Sequence, residues 1–194
     1  MNKPSLNIKQ MNIKQNSIAS LAFAAYMMAA SLSVEAQTCL SDSMSETTPE
    51  TQFVIHGDGT ISDTQTALMW QQCLQGLSGI TCQNGILHET DWASALAIPQ
   101  TLNNNGGFAG YVDWRLPNVA ELVSIVEEQC SSPAINTAVF PNTATKFTWT
   151  SSPDFNNDTA TWSVEFNMGS TGSITRATAP GIGYPVRLVR SITQ

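Results

Sequence analysis

Positive charge is scarce in this chain. Eight lysines and arginines face fifteen aspartates and glutamates, for a net charge of −7. A nucleic-acid surface needs a basic stripe to displace counterions, so that class is excluded. Histidine is scarcer: His56 and His88 are the only two. They stand far apart, which leaves little from which to build a histidine metal centre. No Gly-x-Ser-x-Gly elbow occurs, so a serine hydrolase of that type is excluded. No two cysteines have the spacing of a zinc knuckle. Charged residues make up only 12% of the chain, too few for disorder driven by self-repulsion. At 194 residues the prior is one domain.

Long apolar runs are also few. The clearest is residues 17–32, preceded by Lys3, Lys9 and Lys14 and followed by Val34-Glu35-Ala36. A basic start, an apolar heart and a small-residue end read as a secretory signal peptide over 1–36. The run is short and rich in small residues for a spanning helix of about 20 residues, so an uncleaved anchor is the lesser alternative. Asn7-Ile8-Lys9-Gln10 is repeated as Asn12-Ile13-Lys14-Gln15, which makes Met11 an alternative start. Removing 1–36 leaves 158 residues; the loss of three lysines and one glutamate takes the net charge from −7 to −9. Cys39 follows Ala36-Gln37-Thr38, a poor match to a lipid-attachment signal. The expectation is an exported protein, periplasmic or extracellular, with no stable membrane span after cleavage.

Four cysteines remain, an even number that suggests two disulfides in an oxidising compartment. Of three connectivities, Cys73–Cys82 with Cys39–Cys130 is preferred, because the first pair is close and flanks a Gly/Ser-rich loop. Chain entropy assigns these bridges roughly 3 and 4–5 kcal/mol.

Residues 37–51 read as a polar linker and 52–192 as the folded domain. Gly57-Asp58-Gly59 between two short β-runs is a hairpin signal. Residues 67–72 read as a further strand and 74–90 as a Gly-rich loop. Asp91 can cap a helix from Trp92, limited by Pro99 and stopped by the Asn/Gly run 103–107. Asn118 and Glu121 form a capping box for a second helix. Val119, Leu122, Val123 and Val126 are placed on its buried stripe, and Glu127 and Glu128 outside. Alternating segments at 147–150, 162–166 and 174–176 read as strands. The last strand is placed at 184–190, with Pro185 at its start. The expected class is α+β, two helices packed on antiparallel strands and hairpins.

Six segments stand out in order: GDGTISDTQTALMWQQC (57–73), GYVDWRLPNVAELVSIVE (110–127), AINTAVFPNT (134–143), FTWTSSP (147–153), TWSVEFNMG (161–169) and PVRLVR (185–190). Together they resemble the Lcl C-terminal-like domain family, named for the end of a collagen-like bacterial adhesin. The resemblance covers 53–190. It implies a C-type-lectin-like fold and a role in recognition or adhesion. It also implies kinship with formylglycine-generating enzymes through Arg115-Leu116-Pro117 and Glu121. That activity needs a reactive cysteine pair in the C-terminal part, and no cysteine follows Cys130. Relatives carry cysteines where Pro99 and Leu188 stand here, so one bridge is lost as a unit and Cys39–Cys130 reads as a local replacement.

Trp114, Arg115, Pro117, Asn118 and Glu121 are read as a structural element, with Arg115 paired to a carboxylate or carbonyl. Tryptophans 70, 92, 114, 149 and 162 are read mainly as core. Trp149 is the candidate for stacking on a ligand, with Ser151 beside it. Asp154, Asn156 and Asp158 follow the Asp-x-Asn-x-Asp order of a calcium loop, with Glu165 at its twelfth position. Thr159 replaces the glycine such a loop needs, so a solvated Asx turn is the default and no cofactor is expected, with calcium as the alternative. The reading is a non-catalytic recognition or adhesion module for a glycan or envelope-protein partner. One alternative is an envelope enzyme using Asp154, Asp158, His88 or Asp91; the other is a structural component that packs in an oligomer.

Overall fold

A computed structural model of the chain describes residues 36–179 and 182–192. Apart from Ala36, the expected signal segment lies outside the described residues. In chain order the first elements are β1 (Thr38–Cys39), β2 (Phe53–Ile55), β3 (Thr60–Asp63), β4 (Leu68–Gln71), β5 (Leu77–Ser78), β6 (Asn84–Gly85) and β7 (Glu89–Thr90). Then come α1 (Trp92–Asn104), α2 (Val119–Val123), β8 (Cys130–Ser131), β9 (Phe147–Pro153), β10 (Ala160–Glu165), β11 (Ser170–Thr175), β12 (Tyr184–Pro185) and β13 (Val189–Ser191). All the strand pairings are antiparallel, and with two helices the class is α+β.

The central sheet has the order β13-β4-β3-β2. Every residue of β4 is buried. Met69 and Trp70 are consecutive and so point to opposite faces, and each enters a different apolar cluster. Trp70 joins Ile61, Leu122, Phe140 and Phe166. Met69 joins Trp114, Trp149 and Leu188. The sheet β11-β10-β9 feeds both clusters, with Val164 in the first and Trp149 in the second.

The first helix begins as expected: Asp91 accepts a hydrogen bond from Ser94 N at 2.7 Å. It runs through Pro99, expected to limit it, and ends at Asn104 inside the Asn/Gly run expected to stop it. Pro99 and Ala95 are the buried residues of this helix, so packing offsets the hydrogen bond that proline removes. The second helix has its capping box but ends at Val123. Leu122 and Val126 are buried as expected, whereas Val123 is exposed and Ile125 is buried instead. The helix ends too early to carry the stripe further, and the turn after it swings Ile125 inward. The final segment is not one strand. Tyr184–Pro185 pairs with β7, and Val189–Ser191 pairs with β4.

Two expectations are corrected near the N-terminal side. Residues 37–51 are a docked strap, not a free linker. Thr38 and Cys39 pair with Ser131 and Cys130. The Gln37 amide donates to Pro133 O and Ile135 O, both at 2.7 Å. Glu127, expected outside, is only 2% exposed. Its carboxylate accepts from the backbone N–H groups of Thr47 and Thr48 at 3.0 and 2.7 Å, and from both hydroxyls. Polar composition suggested a linker, but it is polarity that docks this segment.

Both expected disulfides are present, Cys39–Cys130 and Cys73–Cys82. Among the described residues no helix is long and apolar enough to cross a membrane.

Candidate ligand-binding cleft

Three segments distant in sequence converge at one end of the central sheet. The first is the 57–59 turn. Asp58 Oδ1 accepts from Thr60 N at 2.9 Å and Thr60 Oγ1 at 2.6 Å, which fixes the turn. The Thr60 hydroxyl holds the Asp58 carboxyl below the usual carboxylate range. The second segment leaves β4 through Gln71, Gln72 and Cys73 into the disulfide loop. Gln72 N–H donates to Gly59 O at 2.9 Å, so the loop is tied to the turn. Gly76 and Gly85 have positive φ, and a Cβ on either would collide with a carbonyl, of Ile86 and Gly76 respectively. Only glycine allows the chain to double back this tightly beside the Cys73–Cys82 bridge. The third segment brings Leu102 from α1 and Phe108 from the following loop. Phe108 lies over Gly59, where a Cβ would stand 2.9 Å from its ring.

Between them lies a cleft of about 690 Å³, within the usual range for small-molecule sites. Leu74, Leu77, Leu102 and Phe108 supply apolar walls, and Gln71, Gln72 and Gln75 supply amides. Ile55 and Ile80 stand on the rim, 52% and 88% exposed. Among the described residues, Asp58 is the one ionisable side chain that lines it.

The residues singled out from sequence lie elsewhere. Trp149, the stacking candidate, is fully buried. Its indole N–H donates to Thr90 O at 2.7 Å, and its ring meets Tyr184 edge-on at 5.1 Å. Its face is spent in the core, which corrects the stacking expectation. Ser151 N–H and Oγ both donate to Pro117 O, at 2.7 and 3.2 Å. The structure thus joins the 149–152 strand to the Arg115–Glu121 element. Arg115 makes a two-pronged pair with Glu121, 2.7 Å on each side. Glu121 also accepts from Asn118 N at 2.8 Å, and Asn118 Oδ1 from Glu121 N at 2.8 Å. Burial pushes the Glu121 carboxyl up, but the Arg115 guanidinium and the Asn118 N–H bring it below its ordinary value. Trp114 is buried, with its indole N–H on Phe108 O at 3.0 Å. This element holds the turn after the cleft's Phe108 in place. Glu121→Gln keeps an oxygen for the cap but breaks the pair. The expected loss is about 1 kcal/mol, read as a lowered urea midpoint with the cleft intact.

Asp154 is only 8% exposed. It accepts from Ser173 Oγ at 2.6 Å and from Asn156 N at 2.9 Å, and the Ser173 bond leads in holding its carboxyl below the ordinary value. Asn156 and Asp158 are exposed on the same turn. Among the described residues, no three His, Cys, Asp or Glu side chains are grouped to hold a metal ion. His56 Nε2 bonds Ser62 Oγ at 2.7 Å, and His88 is exposed. Asp91 is the cap of α1, so these groups do not converge.

A family model for the Lcl C-terminal domain matches residues 59–190. The chain belongs to the Lcl C-terminal domain family. A comparison with curated proteins finds no match. The matched range of this Lcl C-terminal domain starts at Gly59, in the turn that edges the cleft, and includes the Cys73–Cys82 loop. The docked strap precedes that range. In sequence the cleft showed only as two glycine-rich turns and one aromatic. Nothing in their spacing indicates that they meet.

Proposed function

We propose that this Lcl C-terminal domain is an exported, non-catalytic recognition module that binds its partner in the cleft. One observation carries the reading: a concave apolar surface edged by a tied turn and a disulfide-closed loop. Rigid edges keep the ordering entropy on binding small. The two disulfides and the exposed Ile55 and Ile80 support an exported protein that meets an envelope ligand. Two helices beside antiparallel strands fit the C-type-lectin-like arrangement. With Trp149 in the core, an envelope ligand with an apolar part is favoured over a glycan stacked on that ring.

The test is a ligand-observed NMR screen of envelope-type glycans and small amphiphiles, with and without calcium, on wild type and Ala138→Trp. Ala138 lines the cleft with its side chain exposed, so the larger ring blocks the cavity and leaves the core alone. Hits that disappear in Ala138→Trp support the reading. Hits unaffected by the block, or conversion of a ligand to product, overturn it.

A further inference from the structure

This inference rests on the cleft reading above and names the ligand's chemistry. We propose that the cleft selects a small amphipathic ammonium: an apolar chain bearing one protonated amine.

The walls set the first half of that description. Leu74, Leu77, Leu102 and Phe108 offer a place to bury a chain, and Ile80 on the rim lengthens it. Each CH₂ buried there leaves water for an apolar wall, which favours binding. The charges set the second half. Among the described residues, Asp58 is the one ionisable group lining the cleft. Its Oδ1 is taken by Thr60, while Oδ2 has no hydrogen-bond partner among the described residues. A free carboxylate oxygen beside apolar walls suits an ammonium and repels an anion.

The rest of the molecule reinforces the choice. Beyond residue 36 the sequence holds five cations, and each is engaged. Arg115, Lys146 and Arg190 pair with Glu121, Glu89 and Asp113, each at 2.7 Å. Arg176 lies 4.5 Å over the Trp92 ring and donates through Nε to Ala160 O. Arg187 is fully buried and spends its guanidinium on Gln71 O, Gln72 O and Thr143 Oγ1, behind the cleft wall. The ammonium preference therefore rests on Asp58, the charge that faces the cleft.

The experiment titrates the disulfide-bonded, ¹⁵N-labelled protein with octylammonium, octanol and octanoate, three heads on one chain. Octylammonium is expected to shift amides of 57–59 and 73–80 and to bind about fivefold tighter than octanol, with octanoate weakest. Asp58→Asn keeps an oxygen for Thr60 and should reduce octylammonium to the affinity of octanol. Ala138→Trp should abolish all three shifts. Equal binding of octanol and octylammonium in the cleft overturns the ammonium preference and leaves the recognition site standing. So does a preference that survives Asp58→Asn. No shift in the cleft from any of the three overturns both.

Discussion

Arg187→Ala should lower the unfolding free energy by about 3–5 kcal/mol, while Arg187→Met should lose only about 1–2 kcal/mol. The Arg187 side chain is completely buried, and among the described residues no carboxylate pairs with it. Its guanidinium instead donates to Gln71 O at 3.0 Å, to Gln72 O, and to Thr143 Oγ1 at 2.8 Å. Its Cζ lies 4.9 Å over the Phe140 ring. Burial pulls its pKa down to about 9, which still leaves it protonated at neutral pH. Alanine removes three hydrogen bonds and opens a void beside Phe140, and both effects destabilise. Methionine fills much of the void and removes the desolvated charge, which offsets part of the lost bonds. Urea denaturation of the two variants separates the effects. Both variants remove the charge and the hydrogen bonds, so equal losses would show that the void beside Phe140 costs nothing, and no loss in either would show that the side chain holds nothing. Because Gln71 and Gln72 line the cleft, Arg187→Ala should also broaden the amide resonances of 71–75.

What could be read from sequence was local. The 57–59 hairpin, the Asn118–Glu121 box and the Asp91 cap each depend on residues two or three apart, and each is in place. The start and stop of the first helix could be read, but not that Pro99 would sit inside it unhindered, because the packing that tolerates the ring comes from other elements. Arg187 and Arg190 look alike in PVRLVR, yet one is buried without a counter-ion and the other pairs with Asp113. The difference lies in Thr143 and Asp113, dozens of residues away. Glu127 was misplaced for the same reason: its partners Thr47 and Thr48 are about 80 residues back in the chain. Trp149 belonged to the core, but strand alternation does not say which face is inward when both faces of a strand are covered. The candidate site suffered most. Its walls come from the segments around 55–59, 71–80 and 102–108, and each alone reads as a strand end, a turn or a helix end.

The strap offers the second large effect. Replacing both Cys39 and Cys130 by serine should reduce stability by about 4–5 kcal/mol, since the bridge closes a long loop of the unfolded chain; the two cysteines are 91 residues apart. Glu127→Gln should cost about 2–3 kcal/mol, because an amide cannot accept from all the donors that the carboxylate serves. Burial pushes the Glu127 carboxyl up, but the N–H groups of Thr47, Thr48 and Gln129 and the Thr48 hydroxyl pull it further down, to a net position below its ordinary 4.5. A carboxyl lowered on folding supplies stability that is complete above its unfolded value and is lost as pH falls through its folded value. Wild type should therefore lose this contribution below pH 4.5, and Glu127→Gln should show a shallower acid limb in urea midpoints. The bridge and the carboxylate hold the same strap from two points. Once the bridge is gone the strap can leave the domain, so Glu127→Gln should then cost less than it does in the bridged protein. A double-mutant cycle reads this directly. Strict additivity would mean that residues 37–48 do not dock as a unit, and the description of the strap would fail with it.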